Sequence, residues 1–378
     1  MKVLYSCLSK SWGGMEMFTI SAIKQLQKRQ IHVELLCISE SRIHIEANNI
    51  GMIIHPVKAS GYFHPYTILR LVSIIYRGEY DLIHTQASKD LWLLVPALKL
   101  LRSKIPLVLT KQVGSAIVKK DKFHKWIYAR LTLALAISRV IKKNLLETCP
   151  LEENKVRLLH NGIDTEKFNP EKVSSTKVRE EFGIQENDIV IGMLARFSPG
   201  KGHEEFLAAA GKLNLKYNNL KYLIVGEASH GENLYADSIK QQAAASNLSN
   251  IIFTGYRSDT PQVIAAMDIF IFPSHNEAFG IALTEAMAMA KPSVCSNADG
   301  VLDIAVDNET SYLFENKSSE DLVNKIELLI NSPAIRIQFG KAARKRAIEN
   351  FDLNVLTDKV IKIYDELLMR SDRSLSLK

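Results

Sequence analysis

Pro273-Ser274-His275-Asn276-Glu277-Ala278-Phe279-Gly280-Ile281-Ala282-Leu283-Thr284-Glu285-Ala286-Met287-Ala288 is the stretch whose reading decides the fold. An apolar strand over 269–272 runs into a Pro/Ser/Asn turn, and the chain turns again at Gly280 into a helix rich in Ala, Met and Leu. In an open parallel sheet, ligands bind outside the carboxyl ends of the strands and against helix N-termini. Glu277 in the loop and Glu285 in the helix lie across that junction. They are either hydroxyl acceptors for a sugar or ribose, or two solvated glutamates, and the surrounding sequence has to decide.

The C-terminal half repeats the pattern around this stretch. Residues 189–194 form a strand pattern followed by Ala195-Arg196-Phe197-Ser198-Pro199-Gly200-Lys201-Gly202 and a helix over 203–216. Arg196 and Lys201, in a loop that opens a helix, can clamp a diphosphate through charge-assisted hydrogen bonds and the helix dipole. The loop lacks the Gly-x-x-x-x-Gly-Lys-Ser/Thr pattern, so a P-loop ATPase is not indicated. Strand patterns at 222–225, 251–254 and 293–296 each end in glycine-containing loops: Gly226-Glu227, Gly255-Tyr256-Arg257 and Asn297-Ala298-Asp299-Gly300. Helical patterns at 319–331, 333–350 and 354–369 complete this half, leaving a polar tail at 371–378 that is expected to fray.

The N-terminal half alternates in the same way, with strand patterns at 3–7, 33–38, 53–57, 82–85, 107–110 and 135–138. Gly13 and Gly14 open the first helix, where backbone N–H groups can approach a phosphate. No Gly-x-Gly-x-x-Gly dinucleotide fingerprint is present, which argues against a nicotinamide dehydrogenase. His84-Thr85-Gln86 ends the 82–85 strand, on the functional edge. Between 111 and 130, Lys111, Lys119, Lys120, Lys122, Lys125 and Arg130 interleave with Phe123, Trp126, Ile127 and Tyr128. On a helix, Phe123, Trp126, Ile127 and Arg130 share a face. The segment reads either as an interfacial amphipathic helix drawn to anionic lipid or as a surface helix with an aromatic core face. Turn signals at Asn161-Gly162 and Asn169-Pro170, then a charged Ser/Thr stretch over 171–181, place a domain boundary near 170.

Bulk properties agree with two α/β domains. The chain has 378 residues, 47% hydrophobic and 24% charged, as soluble globular proteins do. Cys7, Cys37, Cys149 and Cys295 are scattered, with no metal-site or disulfide-framework spacing, which suits a reducing compartment. No signal-peptide core is legible at the N-terminus, and no apolar run reaches the roughly 18–20 residues of a membrane span. Residues 1–160 carry 24 Lys and Arg against 11 Asp and Glu, for +13, and residues 161–378 carry 24 against 30, for −6, giving +7 together. The basic half therefore favours an anionic partner: nucleic acid, an anionic membrane surface or a phosphorylated acceptor.

Arg196 with Lys201-Gly202, Gly226, Phe253-x-Gly255, Pro273-Ser274 and Glu277-x7-Glu285-Ala286 occur in a fixed order. With Gly13-Gly14-x-Glu16 and Asn161-Gly162-Ile163-Asp164, the set resembles the retaining glycosyltransferase family 4 of the GT-B fold, over essentially the whole chain. The resemblance implies two Rossmann-like doubly wound domains facing a cleft: 1–170 for the acceptor, 171–352 for a nucleotide-diphospho-sugar, and 353–378 returning to the first domain. It implies Arg196, Lys201, Glu277 and His84 as catalytic residues. Arg196 and Lys201 would hold the diphosphate in place of a metal, and Glu277 would contact the transferred sugar. The donor would be bound further by Gly13, Gly14, Gly226, Tyr256, Arg257, Ala278, Phe279, Gly280, Ile281 and Glu285. Glu285 would accept the ribose hydroxyls. Gln86, Lys111, Lys119 and Lys120 are acceptor-side candidates. Where many members have His-x-His this chain has His84-Thr85-Gln86, Gly-x-Gly is Gly226-Glu227-Ala228, and Gly-Gly-x-Pro-Glu is Asp299-Gly300-Val301-Leu302-Asp303.

The expected function is transfer of a sugar, with retention, from a UDP-, GDP- or ADP-linked donor to a glycan or glycolipid acceptor, lipid-linked or anionic, as in lipopolysaccharide or surface-polysaccharide assembly. No cofactor, metal or nucleic acid is expected to take part. The expected location is the cytoplasm, peripheral on the inner face of the cell membrane. The alternatives are a nucleotide-sugar epimerase on the same fold, and a non-catalytic nucleotide- or nucleic-acid-binding subunit, for which the +13 half is the only support, without a nucleic-acid motif.

Overall fold

The structure is a computed structural model that describes residues 1–59, 64–229, 231–246 and 248–376, with side chains through 370. It divides into two units, 1–161 together with 353–378, and 162–352. The first division falls after Asn161 rather than near 170. The Asn-Pro turn read as a boundary lies inside the second unit, where Phe168 and Asn169 are buried.

In the first unit the strands are β1 (Lys2–Cys7), β2 (His32–Ile38), β3 (Ile54–Val57), β4 (Leu82–Thr85), β5 (Leu107–Lys111), β6 (Leu133–Ala136) and β7 (Val156–Leu158). They form one parallel sheet in the order β3-β2-β1-β4-β5-β6-β7. Runs such as Leu-Val-Leu-Thr and Leu-Ala-Leu-Ala are continuously apolar because helices cover both faces of a parallel sheet. On one face Val3, Tyr5, Leu35, Leu82, Val108 and Leu133 pack with Ile23 and Leu26 of the helix Gly14–Lys28. Tyr364 and Leu367 of the last helix join the same cluster. That helix runs over Leu353–Ser376, longer than its apolar pattern suggested, so most of the stretch expected to fray is helical.

The second unit holds β8 (Ile189–Leu194), β9 (Leu220–Val225), β10 (Ile251–Gly255), β11 (Ile269–Phe272), β12 (Ser293–Ser296) and β13 (Ser311–Phe314), parallel in the order β10-β9-β8-β11-β12-β13. Ile191, Met193, Tyr222, Ile224, Ile269 and Ile271 pack against Phe206, Leu213, Ile239, Leu322 and Ile326 from the flanking helices. In both sheets the order reverses between the first and fourth strands, β1/β4 and β8/β11. At such a switch point the two following loops diverge to opposite faces and leave a crevice at the carboxyl ends. The loops after β8 and β11 are those that carry Arg196, Lys201 and Glu277.

Candidate functional site

Two close backbone approaches build the site in the second unit. Ala195 N–H donates to the Val225 carbonyl at 3.0 Å and Phe197 N–H to the Glu227 carbonyl at 3.1 Å, which joins the loops after β8 and β9. Gly226 sits in this seam with φ +140°, and a Cβ there would lie 2.0 Å from the Ala195 carbonyl oxygen. Gly202, with φ +79°, precedes the helix His203–Leu213, and a Cβ there would lie 2.2 Å from the Pro273 carbonyl oxygen. His275 N–H donates to the Gly200 carbonyl at 2.9 Å, and its ring Nε2 pairs with Glu205 at 2.8 Å. Gly300 N–H donates to the Glu277 carbonyl at 2.9 Å, bracing the 277 loop from the other side. These loops are therefore held by main-chain bonds rather than left to side-chain chance.

On that frame Lys201 Nζ meets Glu277 Oε2 at 2.7 Å, with both side chains about a fifth exposed. Arg196 is exposed and donates from Nη1 to Ser229 Oγ at 2.9 Å. The turn at Gly280, φ +117°, starts the helix Ile281–Ala288, whose first N–H groups lack intrahelical acceptors. Glu285 lies one turn into this helix. Burial pushes its carboxyl up to about 7, against a smaller opposing pull from Lys167. No hydrogen bond reaches that carboxylate among the described residues. Two cations, a helix N-terminus and a carboxylate lacking donors can together accept an anion on one side and hydroxyl groups on the other.

Several expected residues sit differently. The guanidinium of Arg257 is taken up by Glu181 (2.6 and 3.0 Å) and Asp259 (2.8 and 2.7 Å), so it pins its own loop to the end of the helix Thr176–Glu181 and has little left for a ligand. Tyr256 beside it is exposed. Phe279 is buried against Phe351, so any contribution it makes to a ligand comes from its backbone. His84 is 1% exposed, its Nδ1 pairs with the Tyr364 hydroxyl at 2.5 Å and its Nε2 with Thr110 Oγ1 at 2.7 Å. Burial holds it neutral, down to about 3. It ties the last helix to the sheet, with both ring nitrogens engaged inside the first unit.

Gln86 is buried in an amide relay within the first unit. Asn161 donates to Gln112 at 2.9 Å, Gln112 to Gln86 at 2.9 Å, and Gln86 to the Tyr5 hydroxyl at 2.7 Å. Gly14 is exposed at the start of its helix, and Gly13 caps that helix in extended geometry. Gln86, Lys111 and Lys119 line one pocket of 560 Å³, whereas Lys120 stands outside it. Sequence reasoning missed His275, whose ring and backbone fix the 277 loop, and Tyr128, whose buried hydroxyl lines the same pocket. Only the juxtaposition of His275 with Glu205, seventy residues apart, shows the first of these.

Both switch-point sheets, with cations and carboxylates gathered at the second, define a GT-B-type protein. Residues 12–167 match the family described as Glycosyltransferase Family 4, and residues 174–346 that described as Glycosyl transferases group 1. The chain belongs to this glycosyltransferase family. It is 29% identical over 243 residues to the capsular polysaccharide biosynthesis glycosyltransferase CapM of Staphylococcus aureus, a match spanning 63% of this chain and 62% of CapM. Over 316 residues it is 24% identical to the UDP-Gal:alpha-D-GlcNAc-diphosphoundecaprenol alpha-1,3-galactosyltransferase of Escherichia coli, 80% of each chain. A glycosyltransferase structure from Rickettsia africae ESF-5 superimposes with TM-score 0.88 at 25% identity, covering 97% of this chain and 98% of that one.

Proposed function

We propose that this protein transfers a sugar, with retention and without a metal, from a nucleotide-diphospho-sugar to a lipid-linked acceptor in surface-polysaccharide or lipopolysaccharide assembly. The observation that carries this reading is the pairing of Lys201 with Glu277 at 2.7 Å, in the loop that leads into the helix holding the Glu285 carboxylate, which lacks hydrogen-bond donors. Breaking the anomeric C–O bond leaves negative charge on the diphosphate and positive charge on the ring, so the chemistry needs preorganised cations on the leaving group more than a strong base. Arg196 and Lys201 supply them. An ion pair that water still reaches, as it does this one, is worth about 1 kcal/mol or less. A diphosphate therefore competes readily with Glu277 for Lys201, and the released carboxylate can then accept hydroxyls of the transferred sugar. Glu285 accepts the ribose hydroxyls. A retaining glycosidase uses a carboxylate nucleophile, but Glu277 is not given that part here, and the leaving phosphate assists same-face transfer. The S. aureus and E. coli relatives, named for capsule and diphosphoundecaprenol chemistry, support the choice of acceptor.

The location we propose is the inner face of the cell membrane. Phe123 is 73% and Trp126 43% exposed, with Val113, Ile117 and Val118 also exposed and Lys120, Lys122 and Lys125 beside them. No helix among the described residues is long and apolar enough to cross a membrane. The helix itself spans only Lys122–Tyr128, and Ile127 and Tyr128 turn into the core, so the apolar surface comes from the segment as a whole rather than from one helical face.

Calorimetry with UDP, GDP and ADP, followed by a hydrolysis screen of nucleotide-sugars, tests the transferase reading. One nucleotide diphosphate is expected to bind, and Arg196→Ala to weaken it by about 1.5–3 kcal/mol, the worth of a charge-assisted contact. Absence of binding by all three would end the proposal.

A further inference from the structure

The pocket in the first unit is built for an anion. The helical run beginning at Ser88 and continuing through the helix Leu91–Leu100 presents its N-terminal end there, with Ala87, Ser88 and Lys89 in the wall. An N-terminus carries partial positive charge and unused N–H donors. Lys111, only 9% exposed, donates from Nζ to Ser88 Oγ at 3.0 Å. Burial, and then the neighbouring Lys119, push its amine down to about 8, which marks two ammonium groups close together without a counter-charge. Lys119 Nζ has no carboxylate or hydrogen-bond partner among the described residues. The Tyr128 hydroxyl is buried against Ser88 and Cys149. No Asp or Glu lines the pocket, and the nearby Asp121 is paired with His124. Two neighbouring ammonium groups, one of them buried, at a helix N-terminus are an expensive arrangement unless an anion completes it.

The rim adds a second property. Val113 and Ile117 line the pocket and are also 66% and 70% exposed, continuous in sequence with Val118, Phe123 and Trp126. Trp92 and Tyr128 give the wall aromatic surface of the kind that packs on a sugar ring. We propose that this pocket binds the diphosphate of a lipid-linked sugar acceptor, with Lys111 and Lys119 on its oxygens and the apolar 113–126 rim taking the first part of the lipid. The inference rests on the transferase reading for the identity of its ligand, but the anion site itself does not.

The full chain carries the test. Arg196→Ala/Lys201→Ala first removes the cations of the second unit, and inorganic pyrophosphate is then titrated by calorimetry at low salt. Pyrophosphate is expected to bind this variant, and added Lys119→Gln to weaken it about tenfold, as one lost charge-assisted contact does. Lys111→Met should act in the same direction. Lys119→Gln decides the matter if the buried substitution fails to fold, as judged by circular dichroism and melting. An affinity unmoved by Lys119→Gln overturns the site. Decyl diphosphate in phosphatidylcholine vesicles is expected to bind more tightly than pyrophosphate, and equal affinity would overturn the lipid part and leave a free sugar phosphate as the ligand. Nucleotide binding to the wild-type chain reports on the transferase reading separately, so a pyrophosphate site without nucleotide binding would sink that reading and keep the pocket.

Discussion

Glu285 shows how one side chain can cost the fold something and serve the site. Its carboxyl is raised by burial to about 7. A native state that holds a proton the unfolded chain has lost becomes less stable as pH rises, here between about 4.5 and about 7, and the cost is constant above that. The full cost is about 3 kcal/mol at 1.36 kcal/mol per unit. Glu285→Gln should therefore raise Tm at pH 8, by ~2–4 °C per kcal/mol recovered, and change it little at pH 4.5. The ionised form alone accepts two hydroxyl donors, so nucleotide affinity in the wild-type chain should fall as pH drops through 7. Paired melting and calorimetry across pH 4.5–8 check both, and a Gln variant that bound nucleotide as well as the wild type at pH 8 would remove Glu285 from the site. Glu277 and Glu285 could be singled out from the sequence by their place at a strand-to-helix junction. The perturbed titration could not, since it follows from packing by residues far along the chain. The same limit hid the fate of His84, whose partners Thr110 and Tyr364 come from a different strand and from the last helix.

Among the elements, most strands were legible, and the last strand of each sheet was not. Apolar runs located β4, β8, β11 and β12 to the residue. β7 and β13 escaped because their apolar runs are short and interrupted: β7 is only Val-Arg-Leu, and β13 is Ser-Tyr-Leu-Phe. β6 begins two residues earlier than its pattern indicated, with the end of that pattern, Ser138, serving instead as the N-cap of the next helix. Gly13 and Gly14 were read as an opening for a phosphate and Gly226 as donor-binding, whereas the structure shows that Gly202 and Gly226 are required where loop backbones touch. A Cβ at residue 226 would collide with main chain that has no side-chain freedom to move, in a φ region unfavourable to other residues. Gly226→Ala is expected to cost about 2–4 kcal/mol in denaturant unfolding of the second unit and to lower nucleotide affinity with it. Full stability in that variant would mean that the Ala195 loop yields easily.

For the whole molecule the informative quantity is the separation of charge along the chain. The +13 of residues 1–160 is concentrated between 102 and 143, beside exposed aromatic and aliphatic side chains. Juxtamembrane basic residues contribute roughly 1 kcal/mol each near an anionic surface and are screened within a Debye length. Co-sedimentation with anionic vesicles should therefore be strong at low salt and should fall steeply on adding salt. Replacing Lys120, Lys122 and Lys125 by Gln should remove most of it, while neutral vesicles retain little protein in either case. Sedimentation that is indifferent to the three substitutions would end the membrane reading. The charge asymmetry was visible in the sequence. The pocket was not, because its wall is assembled from loops after three strands and a helix start.

The last helix, Leu353–Ser376, belongs with the first unit, held there by Tyr364 on His84, Arg29 on Asp358 and Arg157 on Glu366. The second unit closes on itself before that helix, with Ile163 N–H donating to the Phe351 carbonyl and Thr165 to Asp352. On a ribosome, the N-terminal sheet emerges early yet must wait for Tyr364 and Leu367, made last, to cover its face. The unit begun second is the one whose own core can be finished first. A released chain ending at residue 352 should thus present a protease-resistant second unit and a labile first one, making the final helix the step that commits newly made protein to its working form.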